Sequence, residues 1–291
     1  MGDIGIHDPK SRAIRDGFHW IQECIALGER HQCQNAFLLA GDRSLLFDTL
    51  TRPNGEEIVA RVEDILDGDD LDFLVISHPE GNHSGNAVRI LDAYPDATLV
   101  APGRGVGPGE GFGGEHELYH IGQSGDAPMQ VDNEVWYVSG GETIDLGGYE
   151  VEFTRAYYAD HSFSTWMVEH ATNTLFTVDW LGFWHPNDQC LAYGGDIDDD
   201  TVADYLRGFH GNVFPWLQFA DVGKVEATVD DLRATYDPDW LAPAHGMVVK
   251  EDPDRYVDLF VETVRALSER GEPDALRERI DEMFPTLEAG R

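Results

Sequence analysis

The sequence predicts an α/β fold in which two mixed β-sheets pack face to face, with helices on the outside. Short apolar runs such as FLVIS (73–77) alternate with amphipathic helical stripes such as GEEIVARVEDILD (55–67). The alternation runs through both halves without a linker or a shift in composition, which is typical of layered α/β domains. We therefore expect the 291 residues to form one domain, with its core at about 30–260 and C-terminal helices over 253–290. Two smaller domains are the alternative, because one core stops growing near this chain length.

Each strand is predicted from a local pattern. Apolar runs at 35–39 and 45–49 flank the turn-like sequence Gly41-Asp42-Arg43, which indicates a hairpin. The run 73–77 is apolar throughout, as in strands buried on both faces, and ends directly at His78. Further strands are expected at 97–100, 134–138, 149–155, 164–168 and 174–178.

Helices are predicted from apolar residues that recur every three to four positions. The pattern occurs at 55–67, a further helix is expected at 84–94, and from about residue 201 the chain becomes mainly helical. The short segment WLAPAHG (240–246) interrupts this region and is predicted to be a buried strand that ends at His245. The later helices are expected at 201–219, 223–235 and 253–268.

The charge of the chain is strongly negative, with 20 Lys and Arg against 55 Asp and Glu and a formal net charge of −35. Such self-repulsion is relieved by salt, which screens charges beyond about 3 Å at 1 M. We therefore expect the salt-rich cytoplasm of a halophile, with an acidic mesophilic protein as the alternative. The charge opposes binding to nucleic acid and to anionic membranes. Neither a long apolar run nor a signal-peptide core is found, so membrane insertion and export are not expected.

Two further features have less specific interpretations. Cys24, Cys33 and Cys190 are too few and too widely spaced for a disulfide framework or a Cys-x-x-Cys zinc site, and we expect reduced thiols. The segment 103–114 holds seven glycines but lacks the Gly-Lys-Ser/Thr ending of a phosphate-binding loop. The role of this segment stays open.

The six residues HPEGNH (78–83) place four side chains that can bind metal at the end of a buried strand. His78 and Glu80 can point the same way, whereas Asn82 and His83 lie beyond the turn, so two adjacent metal ions are favoured over one. An isolated histidine is usually an ordinary core or surface residue. Here, however, His161, Asp179 and His245 recur near the ends of other apolar strands, and strand-end loops of a sandwich converge.

At this point the residues resemble a known family. The segments HPEGNHSG, DHSFSTW followed by LFTVDW, and APAHG are similar to those of the metallo-β-lactamase superfamily, over about residues 30–260 and in the correct order. The superfamily usually has His-x-His-x-Asp-His in the first motif. Its flavodiiron branch replaces the second His with Glu, and Glu80 stands at that position here. The resemblance implies the αββα sandwich of that superfamily and the diiron domain of flavodiiron proteins or stand-alone oxygen-binding diiron proteins.

The resemblance also implies a ligand set. The first metal ion would be bound by His78, Glu80 and His161, the second by His83 and His245, and Asp179 would bridge the two. The family has an Asp on the second metal where this chain has Asn82. Because an amide is neutral, we expect that site to bind its ion more weakly or to stay empty.

The ligand set and the resemblance together favour iron, because Glu80 in place of a histidine hardens the first site, with zinc or manganese as alternatives. The leading hypothesis is binding or reduction of O2 or NO with an external electron donor. Only 46 residues follow His245, too few for an FMN-binding flavodoxin domain of roughly 100–150 residues. The alternatives are a dinuclear metallohydrolase that uses a metal-bound hydroxide and a non-catalytic oxygen or redox sensor. Flavodiiron relatives work as dimers, so the resemblance favours a homodimer.

Other residues have weaker interpretations. His185 is predicted to hydrogen-bond a metal ligand from behind, with an ordinary loop histidine as an equal alternative. His31 could face the pocket, but an unrelated role is favoured. Four aromatic residues are predicted to belong to the core or to the wall of the pocket. Two histidines after the glycine-rich segment are predicted to lie in solvent. These are Tyr157, Tyr158, Phe183 and Trp184, and His116 and His120.

Overall fold

The computed structural model describes residues 5–103, 132–160, 164–186 and 189–270. Within these ranges the chain forms two mixed sheets and five α-helices of the predicted sandwich. The glycine-rich segment after Gly103 and the expected helix residues beyond 270 lie outside the described residues.

The first sheet contains seven strands in chain order, β1 to β7. Strands β1 to β4 are antiparallel, and β4 to β7 are parallel. A two-residue strand, β12 (His185–Pro186), pairs with the outer part of β3. The bounds of the seven strands are Lys10–Arg15, Phe18–Leu27, Arg30–Ala40, Ser44–Phe47, Phe73–Val75, Thr98–Pro102 and Val135–Val138.

The second sheet has the order β13-β11-β10-β9-β8. Strands β8 to β11 form an antiparallel meander, whereas β13 joins β11 in parallel. The bounds are Thr143–Asp145 for β8, Glu150–Arg155 for β9, Thr165–Glu169 for β10, Thr174–Val178 for β11 and Trp240–Pro243 for β13.

The helices agree with the predicted pattern except at one boundary. The single helix expected at 201–219 is divided, because Pro215 lacks a backbone N–H and begins a separate 3-10 helix, Pro215–Phe219. The side chains of Asp198 and Asp221 cap the two helices on either side by accepting hydrogen bonds from backbone N–H groups. The bounds are Gly55–Leu66 for α1, Ala87–Ala93 for α2, Asp199–Val213 for α3, Val222–Tyr236 for α4 and Pro253–Arg270 for α5.

The core has two parts, one on each face of the first sheet. Between the sheets, rings from both layers interdigitate, as where Phe37 meets Phe176 edge to face at a centroid distance of 5.1 Å. On the other face, Leu46 and Leu74 pack against Ile58 of α1 and Ile90 of α2. The described helices include none that is both long and apolar enough to cross a lipid bilayer.

Candidate metal centre

The first motif forms a tight loop directly after β5. The backbone N–H groups of His83 and Ser84 both donate to the Glu80 carbonyl, at 2.9 and 2.7 Å. Gly85 is required here, because a Cβ at this position would overlap the Gly81 carbonyl and lie 2.8 Å from the Leu50 carbonyl oxygen. The loop thereby brings the imidazole rings of His78 and His83 to a centroid distance of 4.0 Å.

Asp179 lies between two groups of histidines. It follows β11, where Val178 adopts a φ of 55° and turns the chain sharply. One carboxylate oxygen, Oδ2, lies 3.6 Å from Nε2 of His78. The other, Oδ1, lies 3.3 Å from Nε2 of His83 and 2.8 Å from Nε2 of His245. The two oxygens therefore face opposite sides of the cluster.

His245 is positioned by the parallel pairing of β11 and β13. The N–H of Ala244 donates to the Val178 carbonyl at 2.6 Å, which places the two strand ends side by side. Gly246 follows with a φ of 93°, a conformation that favours glycine, and a Cβ there would lie 2.9 Å from the Phe183 carbonyl oxygen. Nδ1 of His245 donates to the Cys33 carbonyl at 2.8 Å, so Nε2 is left as a lone-pair donor aimed at the cluster.

His83 is oriented in the same manner by a buried carboxylate. Nδ1 of His83 donates to Oδ2 of Asp48 at 2.8 Å. Asp48 in turn accepts from the backbone N–H and the hydroxyl of Ser77, each at 2.8 Å. A carboxylate that holds the far nitrogen of a metal-binding histidine fixes the ring and raises its basicity. Asp48 was not predicted from the sequence, because no local pattern distinguishes it from any acidic residue at a strand end.

Two carboxylates lie on the His78 side. Oε2 of Glu80 and Oδ1 of Asp160 are each 3.9 Å from Nε2 of His78. The predicted ligand His161 lies outside the described residues, so its position in the cluster stays a prediction. Its neighbour Asp160 was not proposed as a site residue, although its place directly before His161 in ADHS was a usable signal.

The electrostatics of the cluster favour a buried cation. Burial, followed by the nearby carboxylates of Asp179 and Glu80, raises the pKa of Asp160 to about 8. Burial also opposes the charge on Asp179, yet His78 and His83 outweigh it and hold the pKa of Asp179 well below its usual range. Burial likewise opposes a charge on His83, but Asp48 and Asp179 raise the pKa of His83 well above the ordinary value. Without a metal, a proton on His83 thus supplies the positive charge that the carboxylates require.

The donor set fits metal ions. Ligand atoms of His78, His83 and Asp179 lie within 4.8 Å of one another, as do those of His78, Glu80 and Asp160. In the described part of the chain, the buried Nε2 of His83 and Oδ1 of Asp160 have no partner of hydrogen-bond geometry. Buried polar atoms are rarely left unsatisfied, and cations near the cluster would bond to both.

Asn82 lies beside the second group of ligands and is only partly buried. Its amide nitrogen is 3.4 Å from Nε2 of His245 and 3.5 Å from Oε1 of Gln34. The residue is therefore close enough to affect an ion on His83 and His245, but it carries no charge to hold one. Whether it coordinates stays a prediction.

The remaining candidates have other surroundings. Tyr158, Phe183 and Trp184 belong to the buried core, as predicted, whereas Tyr157 is 37% exposed and packs against Trp166. His185 and His31 lie together beside two cysteines, at a ring-centroid distance of 5.4 Å. The predicted role of His185, as a hydrogen-bond partner of a metal ligand, stays a prediction; its ring contacts Cys24 and His31. His116 and His120 lie outside the described residues.

Comparison with known proteins identifies relatives that are similar to this chain in sequence. A nitric oxide reductase of Moorella thermoacetica is 23% identical over 267 residues, covering 85% of this chain and 60% of the relative. A putative diflavin flavoprotein A 1 of Thermosynechococcus vestitus is 30% identical over 227 residues, covering 78% of this chain and 36% of the relative. The chain therefore spans less than two thirds of the length of each of these two relatives. No protein-family model matches it.

Solved structures show the same fold. The rubredoxin oxygen:oxidoreductase of Desulfovibrio gigas superposes with a TM-score of 0.69 at 20% identity, covering 90% of this chain and 62% of that structure. A 1–254 fragment of a putative diflavin flavoprotein A 5 from Nostoc sp. PCC 7120 gives a TM-score of 0.67 at 16% identity and is covered over 98% of its length. The predicted metallo-β-lactamase-type sandwich is thus confirmed, and the homologues of the chain are flavodiiron proteins.

Proposed function

We propose that this chain, a homologue of the metal-binding domain of flavodiiron proteins, is a non-haem diiron protein that binds and reduces O2 or NO. One observation carries the proposal. The carboxylate of Asp179 directs Oδ2 towards His78 and Oδ1 towards His83 and His245. A carboxylate so placed can bridge two cations, each with its own histidine ligands.

The ligands divide into two sets around this bridge. His78, Glu80 and the predicted His161 would hold the first ion, and His83 and His245 the second. Asp160 adds a further carboxylate near the first ion, at the distance from His78 that Glu80 also has. Imidazole and carboxylate donors without thiolate suit iron, and the extra carboxylates move the preference away from zinc.

The surrounding residues hold the ligands in one arrangement. Asp48 fixes the ring of His83 and the Cys33 carbonyl fixes that of His245, so both Nε2 atoms point inward. Asp179, His78 and His83 are almost fully buried, which limits competition from water. Two iron ions bound here would supply the redox chemistry that O2 or NO reduction requires.

Electrons would come from an external donor protein. The relatives include proteins named for a flavin, which is a group that carries electrons. We expect a separate reductase with a flavin or another redox group to fill this role. The expected homodimer also stays a prediction, which the molar mass in solution would check.

The test is anaerobic loading of the purified protein with ferrous iron, followed by exposure to O2 or NO. We expect between about one and two iron ions per chain, since two ligand sets are present and the neutral Asn82 weakens the second, and a visible absorption band on exposure. Asp179→Asn should lower the iron content and abolish the band. His170→Gln is the matched control, because His170 is exposed and paired with Glu152 at the surface.

Turnover separates the proposal from its alternatives. Consumption of O2 or NO with a reduced flavoprotein or a chemical reductant supports a reductase. Binding of O2 without consumption by any donor would instead indicate a sensor. Zinc as the only tightly bound metal, with hydrolysis of a phosphodiester or thioester, would overturn the proposal in favour of a hydrolase.

A further inference from the structure

A second cluster of metal-binding side chains lies apart from the candidate centre. Cys24, His31, His185 and Cys190 each offer one ligand atom, and these four atoms lie within 4.8 Å of one another. Three of the four side chains are buried, and Cys190 is partly exposed. The cluster contains two thiols and two imidazoles but no carboxylate, so its chemistry differs from that of the Asp179 site.

The strand register brings three of these residues onto one face of the first sheet. His31 on β3 is opposite His185 on β12, and Ala26 on β2 is opposite His31 on its other side. Residues two apart on a strand point the same way, so Cys24 shares the face of Ala26. Cys24, His31 and His185 are thus held on three adjacent strands by backbone pairing alone.

Hydrogen bonds to the backbone of Leu191 hold the neighbouring Cys190 on the same face of the sheet. The N–H of Leu191 donates to Oε1 of Gln22 at 2.8 Å, and the guanidinium of Arg12 donates to the Leu191 carbonyl at 2.7 Å. Gln22 points to the same side of β2 as Cys24. The contacts to Leu191 hold the Cys190 thiol over the two histidines.

Three of the separations between these ligand atoms are close to those in a tetrahedral metal site. Sγ of Cys24 is 3.3 Å from Sγ of Cys190 and 3.5 Å from Nε2 of His185, and Nδ1 of His31 is 3.3 Å from Sγ of Cys190. A tetrahedral zinc ion with Zn–S bonds of about 2.3 Å and Zn–N bonds of about 2.0 Å separates its ligand atoms by about 3.3–3.8 Å. We propose that Cys24, His31, His185 and Cys190 bind one zinc ion in a closed, structural Cys2His2 site.

The orientation of His185 supports this site. Its Nδ1 donates to the Pro186 carbonyl at 2.6 Å, so Nε2 carries the lone pair that faces Cys24. Zinc-binding histidines commonly donate their other nitrogen to a backbone carbonyl or a carboxylate. His185 therefore has a specific partner arrangement that an ordinary loop histidine does not need.

A bound cation would stabilise the thiolate forms of the two cysteines. The neighbouring Cys190 lowers the pKa of Cys24, but Cys33 and burial outweigh it and raise that pKa to about 11. Cys24 and burial likewise raise the pKa of Cys190 to about 11. Two adjacent thiolates repel each other unless a metal ion neutralises them, and a divalent ion with two thiolates is formally neutral.

Mononuclear zinc fits better than the other occupants. Thiolates exclude hard cations such as Mg²⁺ and Ca²⁺. In a two-iron cluster the cysteine pair and the histidine pair bind different iron atoms, which requires the pairs to stand apart. Here Cys190 lies against His31, and Cys24 against His185, so one ion reaches all four.

Such an ion would join the end of the β2–β3 hairpin to the segment that follows the Asp179 loop. β12 has only two residues, and two ladder pairs alone hold it weakly on β3. Zinc on His185 and Cys190 would secure that segment against β2 and β3. The site is closed by four protein ligands, so we assign it a structural role rather than a catalytic one.

The test is metal analysis and zinc-edge X-ray absorption of the full chain, purified under reducing conditions with iron and zinc supplied. We expect one zinc per chain with two sulfur neighbours at about 2.3 Å and two nitrogen neighbours at about 2.0 Å. Replacement of zinc by cobalt should give thiolate charge-transfer absorption. The wild-type spectrum tests the site even if a variant fails to fold.

Variants assign the ligands. Cys24→Ser and Cys190→Ser should each lose the sulfur-bound zinc, whereas Cys33→Ser is the matched control and should keep it. Cys33 is the direct cross-strand neighbour of Cys24 but is not a proposed ligand. Zinc without sulfur neighbours, an iron–sulfur signature, or a Cys24–Cys190 disulfide in protein prepared without reductant and with zinc present would each overturn the proposal.

Discussion

The buried carboxylate of Asp48 accepts a hydrogen bond of 2.8 Å from Nδ1 of His83. The other ring nitrogen of His83, Nε2, lies 3.3 Å from Oδ1 of Asp179. Asp48 therefore determines which nitrogen of His83 is available to a metal ion, although it is not itself within the proposed ligand set.

Asp48→Asn should weaken the second metal site. The amide keeps the size of the side chain and tolerates the φ of 64° at this position, but it removes the charge that favours the Nδ1–H form of His83. Loss of such a supporting carboxylate lowers metal affinity by about 10- to 100-fold. Chelator competition would measure the change. Asp64→Asn on the surface of α1 is the control, and equal affinities for all three proteins would contradict the role of Asp48.

Asn82→Asp should raise the occupancy of the second metal site. The residue lies 3.4 Å from Nε2 of His245, and a carboxylate there would add a charged ligand where the amide offers none. Iron per chain, measured after loading and gel filtration, should rise towards two in the variant if the native site is only partly filled. An unchanged stoichiometry would show that Asn82 is not the weak point.

Because His210 is buried without charge, we expect the folded protein to lose stability in acid. The ring is fully buried, its Nδ1 donates to the Leu206 carbonyl at 2.9 Å, and its Nε2 accepts from the N–H of Leu181 at 3.2 Å. Burial lowers the pKa of His210 from 6.5 to about 4, against the smaller raising effects of Leu206 and Asp179. Between these values the unfolded chain binds a proton that the folded chain does not, so folding stability falls as the pH falls.

The size of this effect is about 3 kcal/mol of unfolding free energy between pH 7 and pH 4, because one pKa unit corresponds to about 1.4 kcal/mol. Denaturant unfolding of the metal-free protein in high salt would measure it. His210→Gln keeps hydrogen-bonding atoms but does not titrate, so its stability should change less over this range. Parallel pH profiles for the two proteins would refute the assignment.

The excess of acidic residues predicts that salt stabilises the fold. With 20 basic against 55 acidic residues, most carboxylates have no cationic side chain to pair with, and screening by salt reduces their repulsion. The melting temperature should be higher in about 2 M KCl than in dilute buffer. Sucrose of equal osmolality is the control, since it does not screen charge. Equal melting temperatures in KCl and in dilute buffer would count against a halophilic origin.

Much of the fold followed from local patterns. The run that became β5 is wholly apolar, the run that became β11 is apolar apart from two threonines, and the helix at Gly55–Leu66 has a clear amphipathic stripe. These local patterns identified all three elements. Strand β12 has only two residues, which is too short for any periodic signal. Strand β2 was missed because polar side chains, among them Gln22 and Glu23, are buried within it.

In the candidate site, too, residues at strand ends were predicted and residues that depend on tertiary packing were missed. His78, Asp179 and His245 each stand at the end of an apolar strand, so their convergence could be expected from sheet geometry, and the structure brings them together. Asp48 and the Cys24–His31–His185–Cys190 cluster depend on pairing between segments far apart in the chain. No spacing in the sequence indicates such pairings, because cross-strand register is set by tertiary packing.

The position of His245, two residues after the end of β13, also bears on the order in which the ligands are synthesised. A nascent chain that has reached Asp179 holds only part of the ligand shell, and the inward-facing nitrogen of His245 arrives 66 residues later. All four residues of the cysteine and histidine cluster, in contrast, have been translated once the ribosome passes Cys190. Under the two proposals, the zinc ligands are therefore complete earlier in translation than the iron ligands, so zinc can bind the nascent chain before iron does.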